Sequence, residues 1–147
     1  MTHDPPPHEV FDDAWVAAWV VELKGSDAYR RAAATWEGSL ALAMDASPED
    51  GLAEDRAVFL DLWHGDVRAA RVAEGDDLDT ADFVLRADAA VWKRVLDGDL
   101  QPIFGIMSGK LKLARGSVAK LTPYMAASNE LVAAATRVPG RFPAAPV

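Results

Sequence analysis

Between Pro102 and Ser108-Gly109 stand Ile103, Phe104, Ile106 and Met107, four large apolar residues in five positions. Connecting segments run over the surface and are normally polar. An apolar connector therefore has to cover apolar ground, either permanently or by opening and closing over it. The flanks sharpen the constraint. Ala81 to Arg86 reads as a strand, Asp88 caps a helix from Ala89 to about Asp97, and Lys110 to Ala114 reads as a second strand. In the helix, Trp92, Val95 and Leu96 face inward. A greasy internal cavity beneath the connector follows as an expectation.

The rest of the chain supplies more of the same pattern. Val10, Phe11, Ala14, Trp15, Ala18 and Trp19 fall on one stripe of a helix expected from Glu9 to Lys24. Gly25 stops it, and Ser26 caps a shorter helix to about Ala34. Strands are expected over Ser39–Asp45, Ala57–His64 and Val67–Ala73, the last two joined as an antiparallel hairpin through Gly65-Asp66. A final helix is expected from Pro123 to Val138, with Thr122 as its N-cap and the stripe Tyr124, Leu131, Ala135, Val138. Helices at both ends of an antiparallel-rich sheet, without alternation of strand and helix, indicate an α+β fold. The expected organisation is a disordered or extended tail over residues 1–8, one domain over 9–140 and a second tail over 141–147.

Composition narrows the function. At 147 residues the chain can bury ~68–70% of its unfolded surface, enough for a core and a pocket. The net charge is −8, and the basic residues read as scattered and outnumbered. Sequence-independent contact with nucleic acid or an anionic membrane needs a basic surface, so no nucleic-acid partner is expected. The longest apolar run is too short to span a bilayer, and no signal peptide opens the chain, so no stable membrane insertion and a cytoplasmic location are expected. With no cysteine there is no disulfide and no thiolate chemistry.

The catalytic inventory is thin. His64 is the one histidine in the expected domain, so no histidine-rich metal site and no cofactor are expected. Gly105 to Leu111 resembles a phosphate loop but has three residues between its glycines, and Leu111 replaces the magnesium-holding Ser or Thr. His64 and Asp61 form the remaining acid–base candidate. Three positions apart on a strand, they point to opposite faces.

Three blocks carry a family resemblance: Ala81-Asp82-Phe83-Val84-Leu85, Val91 to Leu100, and Met107-Ser108-Gly109-Lys110-Leu111-Lys112-Leu113. With Pro102, Phe104 to Met107 and Gly116, they resemble the strand, helix and G-K-L-K connector of the sterol carrier protein type 2 family. Trp15, Trp19, Tyr29, Trp36-Glu37-Gly38 and Leu60 to Gly65 are similar to its prokaryotic stand-alone members, so the resemblance covers about Asp12 to Val138. It implies a five-stranded, mostly antiparallel sheet covered by helices, with a hydrophobic tunnel between the two layers. It also implies non-enzymatic carriage of a sterol, fatty acid or fatty acyl-CoA. Ser108 stands where many animal members have glutamine, and the Gly116–Leu121 segment is shorter than usual, which makes a fatty-acyl ligand the better expectation.

The expected ligand contacts are Trp92, Leu96, Ile103, Phe104, Met107, Ser108, Leu121, Tyr124 and Met125, with Lys110 and Lys112 as candidate head-group partners. Two other readings compete: an enzyme or accessory subunit acting on a lipid-like substrate, and an interaction module that forms a homodimer.

Overall fold

The computed structural model describes residues 8–143; the outer parts of both expected tails, residues 1–7 and 144–147, lie outside the described residues. The two ends of the described chain close on each other. Arg141 donates its N–H to the carbonyl of His8 at 2.9 Å and accepts from the N–H of Val10 at 3.0 Å.

Among the described residues, seven α-helices and five strands follow in the order α1 Asp13–Lys24, α2 Asp27–Ala32, β1 Glu37–Met44, β2 Arg56–Trp63, β3 Asp66–Val72, α3 Asp77–Thr80, β4 Phe83–Ala87, α4 Ala89–Leu96, α5 Pro102–Met107, β5 Lys112–Arg115, α6 Val118–Leu121 and α7 Met125–Thr136. The helix starts obey simple chemistry. The side chains of Asp12, Ser26, Asp88 and Ser117 each accept an otherwise unpaired N–H of their helix's first turn, from Trp15, Tyr29, Val91 and Lys120.

The sheet has the order β3-β2-β1-β4-β5. All neighbours are antiparallel except the central pair, β1 with β4, which is parallel and sets Leu40 opposite Phe83 and Leu42 opposite Leu85. Strand alternation then sends Leu40, Leu42, Val58, Leu60, Leu62 and Leu85 to one face. That face is buried with α1, α4 and α7 in a continuous core. The other face carries a small separate cluster of Ala41, Ala81 and Val84 with Phe59 and Leu78.

Two arginines tie loops to the sheet. The guanidinium of Arg86 on β4 contacts Asp45 at 2.8 Å and Asp55 at 2.7 Å, clamping the loop after β1. Arg71 on β3 donates twice to Asp77, at 3.0 and 2.7 Å, and lies over the Phe59 ring. Hydrogen bonds from Arg71 and from the backbone N–H of Glu74 hold the Asp77 carboxyl below its ordinary value; Arg86 and the N–H of Ala46 do the same for Asp55.

Three expectations from sequence are corrected. The first helix starts at Asp13 and not at Glu9, because Asp12 caps it; Val10 and Phe11 reach the core from the segment before it, with Phe11 at φ +73°. The apolar connector is a helix, α5, begun by Pro102, whose lack of an N–H costs nothing at a first helical position. Thr122 is not an N-cap. Helical structure starts earlier, at the Ser117 cap, and Thr122 Oγ1 donates back to the carbonyl of Val118 at 2.7 Å, inside a short 3-10 turn that joins α6 to α7.

Two tests follow. Gly65 has φ +85°, and a Cβ there would stand 2.8 Å from the carbonyl oxygen of Arg30; Gly51 has φ +89° with open space around it. Gly51→Ala should cost roughly 1–2 kcal/mol from backbone strain alone. Gly65→Ala should cost at least ~1 kcal/mol more, because the backbone of α2 must also move; urea denaturation of both variants reads the difference. The second test concerns pH. A carboxyl with a lowered folded pKa stabilises the fold above its unfolded value, and that contribution disappears as pH falls through the folded one. The gap in urea midpoint between the parent and Asp77→Asn should therefore be widest near neutrality and shrink below the ordinary carboxylate range.

Candidate functional site

Three tryptophans shape the interior. Trp15 and Trp19 lie one turn apart on α1, and Trp92 lies on α4; all three are fully buried. Each indole N–H donates to a buried backbone carbonyl. Trp15 donates to Val138 at 3.2 Å, Trp19 to Leu131 at 2.9 Å and Trp92 to Ala43 at 2.8 Å. A buried indole N–H needs a partner, and here the partner is always backbone. Only ring carbon is left to face inward.

Between these rings and the sheet is a small cavity of about 30 Å³. Its floor is Leu40, Leu42 and Leu85; its roof is Leu121, Leu131, Val132 and Ala135; Val95, Leu96, Pro102 and Leu111 close the sides. Ser128 on α7 is the one hydroxyl on the wall, and no charged or titratable side chain lines it among the described residues. Thirty cubic ångströms holds about one or two water-sized probes. The space between the layers is thus closed in this conformation rather than an open tunnel.

Two recesses adjoin it. One, of about 280 Å³, lies between α7 and the α4–α5 turn and shares Val95, Pro102 and Val132 with the cavity. The other lies between α5 and the start of α7. It is lined by Pro102, Ile103, Leu121, Met125, Ser128 and Asn129. Both point to the line where α7 meets Pro102 as the thin part of the wall.

The expected contact residues divide accordingly. Trp92, Leu96 and Leu121 are on the cavity wall. Ile103 and Met125 line the recess beside it. Tyr124 packs on Trp36 at 4.6 Å between ring centres and donates from its hydroxyl to the carbonyl of Thr35 at 3.2 Å, outside the cavity. Phe104 and Met107 are 59% and 74% exposed on the outer side of α5, and Ser108 is exposed after it. Gly105 explains why the helix turns them outward: its buried face sits so close to Leu111 that a Cβ would be 3.1 Å from that side chain. Lys110 and Lys112 are exposed and line neither space. Sequence reasoning missed most of the wall, including Trp15, Trp19, Leu40, Leu42, Leu85 and Leu131; the tryptophans and the strand leucines read from sequence as ordinary core.

The acid–base candidates lie elsewhere. Asp61 pairs with Arg68 at 3.0 Å, and His64 Nε2 lies 2.7 Å from Glu37 in the hairpin turn after β2, both at the surface. Among the described residues no group of three or more metal-ligating side chains comes together, and no helix is long and apolar enough to cross a membrane.

A five-stranded mixed sheet with helices over one face and an apolar space between defines an α+β protein with an interior apolar pocket. The model of the SCP-2 sterol transfer family matches residues 20–127. A crystal structure of a sterol carrier protein 2 aligns with TM-score 0.82 at 48% identity, over 88% of this chain and 99% of that one. The solution structure of a conserved hypothetical protein from Thermus thermophilus aligns with TM-score 0.83 at 45% identity, over 96% and 97%. The apo form of sterol carrier protein 2 from Yarrowia lipolytica shares the fold, with TM-score 0.55 at 16% identity over 86% and 89%. No curated protein sequence matches the chain. The chain belongs to the SCP-2 sterol transfer family.

The Trp19–Leu131 bond carries a prediction. Trp19→Phe keeps most of the apolar ring and removes the donor that holds α1 to α7, at a cost of about 1–3 kcal/mol. Hydrogen exchange should show α7 amides losing protection while those of the β2–β3 hairpin keep theirs relative to global stability.

Proposed function

We propose that the protein binds and carries a hydrophobic lipid, best matched by a single fatty-acyl chain, in the space between sheet and helices, without converting it. One observation carries this reading. The wall offers carbon almost throughout, because every indole N–H on it is already satisfied by backbone. Such a wall selects ligands by burial rather than by hydrogen bonding. A ~16-carbon chain at ~0.8 kcal/mol per methylene contributes on the order of 12 kcal/mol before association costs.

Holding that chain requires the closed cavity to merge with its neighbouring recess. Helix α7 is the element suited to move. Three of its four fully buried residues are alanines, Ala127, Ala134 and Ala135, and Leu131 is the single large anchor. Small side chains give up little contact on displacement. Ser128 and Asn129 stand at the mouth, where a carboxylate or ester head would emerge into water. The enzymatic alternative draws no support from this geometry, since Asp61 and His64 pair with other residues at the surface.

Native mass spectrometry of freshly purified protein should show an added mass matching an acyl lipid. Val132→Trp, at the wall shared by cavity and recess, should lower uptake of a fluorescent fatty acid at least tenfold. Added fatty acid should slow exchange of α7 amides more than those around Gly65. A protein that purifies empty and takes up no fatty acid would refute the reading.

A further inference from the structure

A recess of about 400 Å³ lies where the parallel strands β1 and β4 begin, and it shares no lining residue with the apolar cavity. Two acidic side chains line it, Glu37 and Asp82, together with Lys120 of α6. Each carboxylate is held by one oxygen. Glu37 Oε1 lies 2.7 Å from His64 Nε2, and Asp82 Oδ2 accepts from the N–H of Ser39 at 2.8 Å and from its hydroxyl at 3.3 Å. Among the described residues the second oxygen of each accepts no hydrogen bond, and the ammonium of Lys120 enters no ion pair. Two glycines keep the walls apart. A Cβ at Gly38 would stand 3.0 Å from Asp82 Oδ2, and one at Gly116 would stand 2.6 Å from the Phe83 ring. Tyr124 completes the lining; its hydroxyl proton is committed to the carbonyl of Thr35 at 3.2 Å, so that oxygen can only accept. Opposite charges that share a recess without pairing leave a gap that a ligand carrying both signs would bridge.

We propose that this recess binds a small water-soluble zwitterion of the amino-acid class, its ammonium between Glu37 and Asp82 and its carboxylate on Lys120. An ammonium has three donors and no acceptor. The two free carboxylate oxygens and the Tyr124 hydroxyl supply three acceptors. The volume falls within the range of small-molecule sites, roughly 300–1,000 Å³. Asp82 is also fixed in advance, because its own N–H donates to Ser39 Oγ at 2.9 Å while its carboxylate accepts from Ser39. Binding then orders little that is not already ordered. Other ligands suit the recess less well. A divalent cation would be repelled by Lys120, and among the described residues no third metal-ligating side chain joins the two acids. An inorganic anion would match Lys120 and meet two carboxylates. A fatty acid has no ammonium to offer. The proposal stands apart from the lipid-carrier reading, since it uses none of the residues that line the cavity.

The test is titration of the isotope-labelled full chain, followed by amide chemical shifts. The probes are L-leucine, β-alanine, γ-aminobutyrate and ε-aminocaproate, which set their two charges at different separations. At least one should shift the amides of Gly38, Asp82 and Gly116 together and saturably. The N-acetyl form and the carboxamide of the tightest probe each lose one charge, and each should bind about tenfold more weakly. Glu37→Gln, Asp82→Asn and Lys120→Met should each weaken the parent probe by a similar factor, with thermal melts to confirm folding. Lys24→Met, on α1, removes the same charge as Lys120→Met away from the recess and should change nothing. The blocked probes act on the unaltered chain, so they decide the matter even where a variant fails to fold. No saturable shift with any of the four, equal binding of the blocked forms, or equal loss with Lys24→Met would overturn the proposal. So would magnesium or inorganic phosphate shifting these amides at lower concentration than every amino acid. Protein that carries lipid yet ignores all four probes removes the recess and leaves the carrier reading intact. Protein that takes up no lipid yet binds one of them does the reverse.

Discussion

The orientation of three indole groups governs the interior. Trp15, Trp19 and Trp92 could each have placed an N–H against the space between sheet and helices. Instead, each donates to a backbone carbonyl at its edge, on the chain after α7, on α7 itself and on β1. One set of bonds thus does two things. It fastens α1 to α7 and to the chain just after it, and α4 to β1, and it strips hydrogen-bonding capacity from the wall. Replacing the tryptophans with leucines would preserve the second effect and lose the first.

Much of this architecture is legible in the residues. Capping side chains announce the starts of α2 and α4, and the Trp15–Trp19 spacing announces a buried stripe. Strand alternation over Val58, Leu60 and Leu62 gives the correct buried face of β2. The site is less legible, for identifiable reasons. Hydrophobicity between Pro102 and Ser108 says that something apolar is covered. It does not say which side of a short helix does the covering, and Gly105, packed on Leu111, decides that Phe104 and Met107 face out. Leu40, Leu42 and Leu85 look the same in sequence whether they fill a core or floor a cavity. The parallel pairing of β1 with β4 makes the floor, and only tertiary structure brings those strands together. Thr122-Pro123 resembles a helix start because it is one turn short of a real one; the 3-10 segment there hides the earlier Ser117 cap.

The small volume of the cavity bears on the proposed carriage. A permanently open apolar space would be costly, because its lining loses contacts on one side. Here α7, packed on α1, α2 and α4, leaves only about 30 Å³ above the leucines of the sheet, which keeps that cost small. Affinity then equals burial of the ligand minus the work of lifting the helix, so substitutions that tighten α7 should weaken binding even where they touch no ligand.

The central position of β1 has a consequence for how the chain reaches this state. Strands β1, β2 and β3 form a meander of neighbours in sequence, whereas β4 joins β1 only after residues 45–82 have intervened. Closing that long loop is slower than forming the meander. On an emerging chain, the half-sheet β1–β3 therefore assembles with its apolar face uncovered on the β4 side. Leu85 arrives only with β4, and α7 later still. Exposed strand edge and apolar surface coexist during that interval, which makes the half-finished sheet, rather than the native molecule, the species most prone to aggregate during synthesis.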